Sequence, residues 1–106
     1  VVYANGGNDT VNGGAGNDTI NGGAGNDTIN GGAGNDTENG DAGDDILLGQ
    51  DGNDHLNGDA GDDVIDGGAG ADRIEGGDGL DSFTNDGTDI CSDTADDPDF
   101  SGNGAS

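Results

Sequence analysis

GGAGNDTINGGAGNDTINGGAGNDTEN, residues 13–39, is one nine-residue unit written three times in succession. With Gly13 as position 1, the unit runs without insertion or deletion from residue 4 to residue 84, nine copies in all. Position 4 is glycine in every copy, and position 6 is aspartate in every copy: Asp9, Asp18, Asp27, Asp36, Asp45, Asp54, Asp63, Asp72 and Asp81. Position 8 reads Val11, Ile20, Ile29, Glu38, Leu47, Leu56, Ile65, Ile74, Phe83. Each copy thus offers one apolar side chain, Glu38 excepted, between two flanking residues that are mostly polar. That alternation predicts a three-residue strand at positions 7–9 with position 8 inward. The six residues before it are rich in glycine, which suits turns needing positive φ or close approach of another backbone segment. Helix is excluded, because glycine costs about 1 kcal/mol per site relative to alanine and recurs up to three times in nine residues. The expectation is an all-β solenoid in which loop and short strand alternate.

The frame continues past both ends of the array. Val1, Val2 and Tyr3 fall on positions 7, 8 and 9 of a truncated copy, so the chain is expected to be a piece of a larger parent polypeptide. One deletion after Thr84 brings Gly87–Cys91 onto positions 4 to 8 of a degenerate tenth copy. The expected layout is therefore a repeat domain over residues 1–92, with residues 85–92 as the degenerate copy, followed by an acidic flexible tail over 93–106.

Composition poses the physical problem. The 106 residues include 26 glycines, only 26% hydrophobic residues and three aromatics, and they carry a formal charge of −23, with 24 acidic side chains against Arg73 alone. On composition alone this is a solvated, disordered acidic chain. Such a surface is not attracted to nucleic acid or to anionic membranes, and no apolar run approaches the ~18 residues of a spanning helix. A file of single apolar anchors cannot offset the entropy of ordering so much glycine-rich chain, and stacking the loops would pile carboxylate on carboxylate. Folding therefore calls for a cation. The loops offer carboxylates, Asn side chains and backbone carbonyls, with no histidine or cysteine cluster. Hard oxygen donors on flexible loops favour Ca²⁺ over zinc or copper, and over magnesium with its tight octahedron.

The repeat, glycine at position 4 and aspartate at position 6 in nine in-frame copies, resembles the G-G-x-G-x-D-x-U-x nonapeptide of the RTX (repeats-in-toxin) family over about three quarters of the chain. The resemblance implies a right-handed parallel β-roll with two repeats per turn and calcium between stacked loops two repeats apart. Both position-6 carboxylates and carbonyls of the glycine loop would hold each ion. Asp9, Asp27, Asp45, Asp63 and Asp81 then stack on one edge, and Asp18, Asp36, Asp54 and Asp72 on the other. The gaps between them number seven, with an eighth if Asp89 pairs with Asp72. Seven divalent ions would offset more than half of the formal charge of −23. The resemblance also implies export of an unfolded chain and folding outside the cell, where calcium is abundant.

Several residues depart from the pattern. Glu38 is an acid at an inward position with no Lys or Arg placed to answer it, so either the roll opens there or Glu38 is protonated. His55, at position 7, faces outward alone and lacks the partners of a zinc site. Arg73 shares an outward face with Glu75, a pair worth only ~0.5 kcal/mol. Asn8, Asn17, Asn26 and Asn35 each begin an Asn-Asp-Thr sequon, though the repeat already accounts for both Asn and Asp. Asp41, Asp44, Asp51, Asp59, Asp62 and Asp78 add further acid to the second half. Cys91 is the single cysteine; a buried small residue, an intermolecular disulfide and a bridge to a part of the parent chain all remain open for it.

Two functions are carried forward. The first is a calcium-triggered folding module of a secreted, extracellular bacterial protein. The second is a structural repeat of an adhesin, surface layer or filament, in which homo-assembly proceeds through the roll ends. An ice-binding solenoid would array threonine at the third loop position, where this chain has Gly, Ala or Asp. No nucleophile–base pair and no phosphate-binding loop is present, so an enzyme is not expected.

Overall fold

The computed structural model describes residues 1–84 and the backbone of residues 90–92. Residues 85–89, Asp89 among them, and the expected tail over 93–106 lie outside the described residues. Eleven short strands follow one another: β1 (Val2–Tyr3), β2 (Thr10–Asn12), β3 (Thr19–Asn21), β4 (Thr28–Asn30), β5 (Thr37–Asn39), β6 (Ile46–Leu48), β7 (His55–Asn57), β8 (Val64–Asp66), β9 (Arg73–Glu75), β10 (Ser82–Thr84) and β11 (Ile90–Ser92). No helix occurs among the described residues. Strands β2 to β10 each fall on positions 7–9 of their repeat, as the alternation predicts.

Every strand pairs in parallel with the strand two repeats away. The result is a six-stranded sheet β1-β3-β5-β7-β9-β11 and a five-stranded sheet β10-β8-β6-β4-β2. The chain is thus a β-roll of about five turns, two repeats to a turn. Register is constant from β1 to β10: Ile20 opposes Glu38, Leu56 opposes Ile74, and Ile29 opposes Leu47. At the far end Cys91 is in register with Ile74.

The core is two facing files of position-8 side chains. Ile20, Ile29, Leu47, Leu56, Ile65 and Ile74 are fully buried and Phe83 nearly so. Burial fades at the first coil, where Val11 is half-buried and Val2 exposed, because no earlier coil covers them. Glu38 stands in one of these files with no accessible surface, and β5 pairs with both β3 and β7 without interruption. Of the two outcomes foreseen for Glu38, the roll does not open.

The loops are stitched as tightly as the strands. Position-1 amides donate to position-9 carbonyls of the next coil, as in Gly13 N to Asn30 O at 2.8 Å, and position-7 amides donate to position-6 carbonyls, as in Thr28 N to Asp9 O at 2.8 Å. The position-4 glycines all have φ between +102° and +122°. From Gly25 onward a Cβ on any of them would also drive into the carbonyl of the position-4 glycine one coil earlier. Two independent reasons, handedness and close approach, therefore exclude every other residue there.

Candidate metal centre

Position 6 ends the loop, one residue before its strand begins. The constant register therefore lines up the aspartates in two columns, along the two edges where the chain passes from one sheet to the other. Asp27, Asp36, Asp45, Asp54, Asp63, Asp72 and Asp81 expose between 1% and 3% of their surface. Asp9 and Asp18 in the first coil are half-buried. Each column is laced by one repeated hydrogen bond, in which the backbone N–H of one aspartate donates to Oδ1 of the aspartate eighteen residues later. Asp9 donates to Asp27, Asp27 to Asp45, Asp45 to Asp63 and Asp63 to Asp81, all at 2.8 Å. On the other edge Asp18 donates to Asp36, Asp36 to Asp54 and Asp54 to Asp72, at 2.7–2.8 Å.

From Asp27 to Asp63 that bond satisfies one carboxylate oxygen and leaves the second. Oδ2 of Asp9, Asp18, Asp27, Asp36, Asp45, Asp54 and Asp63 is buried without a hydrogen-bond partner. From Asp18 onward these oxygens all turn the same way, toward the position-1 glycine of their own repeat. A Cβ built on Gly13 would lie 2.8 Å from Asp18 Oδ2 and 2.7 Å from the carbonyl oxygen of Gly31 in the next coil. At Gly22 the corresponding distances are 2.7 Å to Asp27 Oδ2 and 3.0 Å to Gly40 O, and at Gly40 they are 2.5 Å to Asp45 Oδ2 and 2.9 Å to Gly58 O. A carboxylate oxygen and a backbone carbonyl thus converge where any side chain other than hydrogen would intrude.

Burial acts on the charge of these columns. Burial pushes the Asp63 carboxyl up to about 8; the neighbouring Asp81 and Asp45 add to the shift, while the backbone hydrogen bond shared with Asp45 opposes it. Asp45 and Asp54 are raised to about 6, again by burial first. Asp59 is raised by burial and by Asp41 beside it in the stack. Arg73, the chain's single Arg or Lys, lies on the outer face, where its Nε is 3.4 Å from Glu75 Oε2. Buried carboxylates with no cation among the side chains are costly unless a metal or a proton joins them.

The donor set fits calcium. It is all oxygen, it mixes carboxylate with carbonyl, and it sits on glycine loops able to adjust to a large ion. Among the described residues no three His, Cys, Asp or Glu side chains converge on one point. A site here must accordingly complete its shell with backbone carbonyls, as the resemblance implied. The structure brings the nine repeat aspartates into the two columns foreseen, while Asp89 lies outside the described residues.

Glu38 is a separate case. Neither of its carboxyl oxygens has a hydrogen-bond partner. Burial pushes its pKa to about 9, with Asp54 and Asp36 adding to the shift and backbone groups at Gly31 and Leu48 pulling weakly the other way. Burial thus favours its neutral form, and its Oε1 shares with Asp36 Oδ2 the space that a Cβ on Gly31 would take.

Two features escaped the sequence reading. One is a second ladder at position 5, running opposite to the first: Asn8 Oδ1 accepts from Asn26 N–H, Asn26 from Asp44, Asp44 from Asp62 and Asp62 from Leu80, all at 2.9 Å. Asn17, Asn35 and Asn53 do the same on the other edge, ending at Ala71. The signal was available, since position 5 is Asn or Asp in every copy except those of Ala71 and Leu80, where each ladder ends. The other corrects the reading of His55 as solitary, because its Nε2 lies 2.8 Å from Glu75 Oε2 on the neighbouring strand. Only the eighteen-residue register brings position 7 of β7 beside position 9 of β9.

Compared with known families, the chain matches the model described as HemolysinCabind, RTX calcium-binding nonapeptide repeat (4 copies), over residues 3–38, 39–74 and 48–83. No curated protein and no solved structure matches it.

Proposed function

The chain belongs to the RTX calcium-binding nonapeptide repeat family, and from that premise we propose that its aspartate columns hold calcium between successive coils and that this binding makes the roll fold. RTX repeats in a β-roll make it a calcium-binding repeat module. The observation that carries the finer reading is the buried Oδ2 left over on one aspartate after another, which at Asp18, Asp27, Asp45, Asp54 and Asp63 converges with a glycine carbonyl of the next coil. Bound there, calcium supplies the positive charge that the side chains lack. The ligands are Asp9, Asp18, Asp27, Asp36, Asp45, Asp54, Asp63, Asp72 and Asp81, spaced for seven ions; an eighth calls on Asp89.

The chain's own residues do the rest. From Asp27 onward the position-6 amides hold Oδ1 and so aim Oδ2; the position-1 glycines leave room; the position-8 file excludes water on the inner side. Without the ion, like charges in the columns repel and the chain stays open. With it, binding free energy becomes folding free energy. The family is typical of secreted proteins, and the role proposed is a folding and stabilising module of a secreted protein, switched on by extracellular calcium. Any enzymatic activity would belong to another part of a parent polypeptide.

Circular dichroism during a calcium titration, with magnesium as control, tests this. β signal should rise cooperatively with calcium and not with magnesium. A chain that is still unfolded at about 10 mM calcium, above the weak extracellular class of sites, would overturn the proposal.

A second reading is a structural repeat that stacks end to end, supported by the constant eighteen-residue register, which lets one coil dock on the next without a break. Sedimentation with and without calcium separates the two, since a module stays monomeric and a filament grows.

A further inference from the structure

Five of the described asparagines are followed by glycine across the boundary between positions 9 and 1: Asn12-Gly13, Asn21-Gly22, Asn30-Gly31, Asn39-Gly40 and Asn57-Gly58. Asn-Gly is the dipeptide most prone to spontaneous deamidation, because glycine places no side chain in the way of ring closure. The backbone nitrogen of the glycine gives up its proton to a solvent base and attacks the Asn side-chain carbonyl carbon. A C–N bond forms, the bond to the amide nitrogen breaks, and ammonia leaves a succinimide. Water then opens the ring at either carbonyl, giving aspartate or isoaspartate, with no change in oxidation state.

In the folded roll the attacking nitrogen is engaged at all five places. Gly13, Gly22 and Gly40 donate their N–H to Asn30, Asn39 and Asn57 carbonyls at 2.8 Å, Gly31 donates to Leu48 O at 2.8 Å, and Gly58 to Glu75 O at 2.9 Å. Gly22, Gly31, Gly40 and Gly58 are buried as well, out of reach of hydroxide. The asparagines sit at the ends of extended strands, and Asn39 Nδ2 is tied to Asn21 Oδ1 at 3.0 Å. Ring closure requires the side chain to swing onto a nitrogen that the ladder already holds.

A sixth site lacks this protection. Asn5-Gly6 lies in the first loop with both residues exposed. Gly6 N–H makes no backbone hydrogen bond among the described residues.

We propose that the five strand-end asparagines are deamidation sites masked by the roll, exposed together when it opens, whereas Asn5 is modified in either state. The consequence is a chemical limit on the lifetime of the open chain. Conversion to aspartate is tolerable, since Asp66 and Glu75 already stand at position 9. Conversion to isoaspartate adds a methylene to the main chain at the point where the ladder passes from strand to loop, and it shifts the register of everything beyond. A chain kept open too long would no longer close.

The test incubates the full chain at mildly alkaline pH in three arms: saturating calcium, a calcium chelator, and chelator with urea. Folding is followed by circular dichroism, deamidation at each asparagine by peptide mass spectrometry, and isoaspartate by enzymatic methylation. In the calcium-folded arm Asn5 should deamidate about tenfold or more faster than the five strand-end sites, as expected when reaction requires local opening. In urea all six should react at similar rates, and chains recovered after long exposure should regain less β signal in calcium. Equal rates at Asn5 and the strand sites in a chain shown to be folded would overturn the proposal, as would protection that survives urea. If the chelator arm stays folded, the calcium-driven folding proposed above fails while this inference stands or falls on the urea arm.

Discussion

Positions 5 and 6 of the repeat are adjacent, both carry Asn or Asp almost throughout, and both run in ladders of side-chain oxygen to backbone N–H. They nevertheless do opposite things. At position 5 the side chain of one coil accepts from the backbone of the next, in the open. At position 6 the backbone of one coil donates to the side chain of the next, under cover, and a second carboxylate oxygen is left over. The same chemistry is scaffold on the outside and unmet demand on the inside. Burial, not residue type, separates the two.

The comparison breaks most visibly when the inner column is changed. Asp63→Asn keeps the shape but removes a buried charge, and it should raise the calcium concentration at the folding midpoint by about tenfold, the scale on which ligand charge tunes such sites. Calorimetry should show weakened sites on the edge that carries Asp45, Asp63 and Asp81; an unaltered titration would remove Asp63 from the ligand set.

Acid probes the same column without mutation. In chelator, Asp63 at about 8 and Glu38 at about 9 hold their protons more tightly in the roll than the ordinary carboxylates of the open chain, near 4. Their contribution favours the roll fully below about pH 4 and is lost as pH rises through 8 to 9. Metal-free β signal should therefore grow on acidification, whereas calcium midpoints should worsen as protons compete. A metal-free spectrum independent of pH between 9 and 4 would contradict the burial argument.

A smaller effect of opposite sign is expected in the core. Glu38→Ile replaces an acid without partners by the residue found at Ile20 and Ile74 in the same file, and should stabilise the calcium-bound roll by about 2 kcal/mol. Urea denaturation in saturating calcium measures it; destabilisation would mean that Glu38 has a role the roll needs.

Smallest is the outer ladder. Asn53→Ala removes one exposed acceptor, leaving Ala71 N–H to water, and should cost about 1 kcal/mol with calcium stoichiometry unchanged. A lost calcium site would show that positions 5 and 6 are not separable after all.

Much of this was legible in the residues. A nine-residue period with a polar-apolar-polar triplet specifies short strands, and the glycine at position 4 specifies the turn, because both depend on residues near one another in sequence. The aspartate columns follow once coils stack two repeats apart. Less could be seen at Glu38, where the pattern allowed a local opening and the structure keeps the file closed. His55 and Glu75, separated by twenty residues, meet only through the pairing of β7 with β9.

What the sequence determined by itself is thus the repeat: strand, turn, inward anchor and the supply of oxygen donors, all local properties of nine residues. The tertiary structure alone decided which oxygen of each carboxylate is satisfied and which is left over, since that depends on the direction in which one coil's amides point at the next. A hydrogen-bond direction between coils has no signature within a single repeat; it exists only after the chain has gone once around.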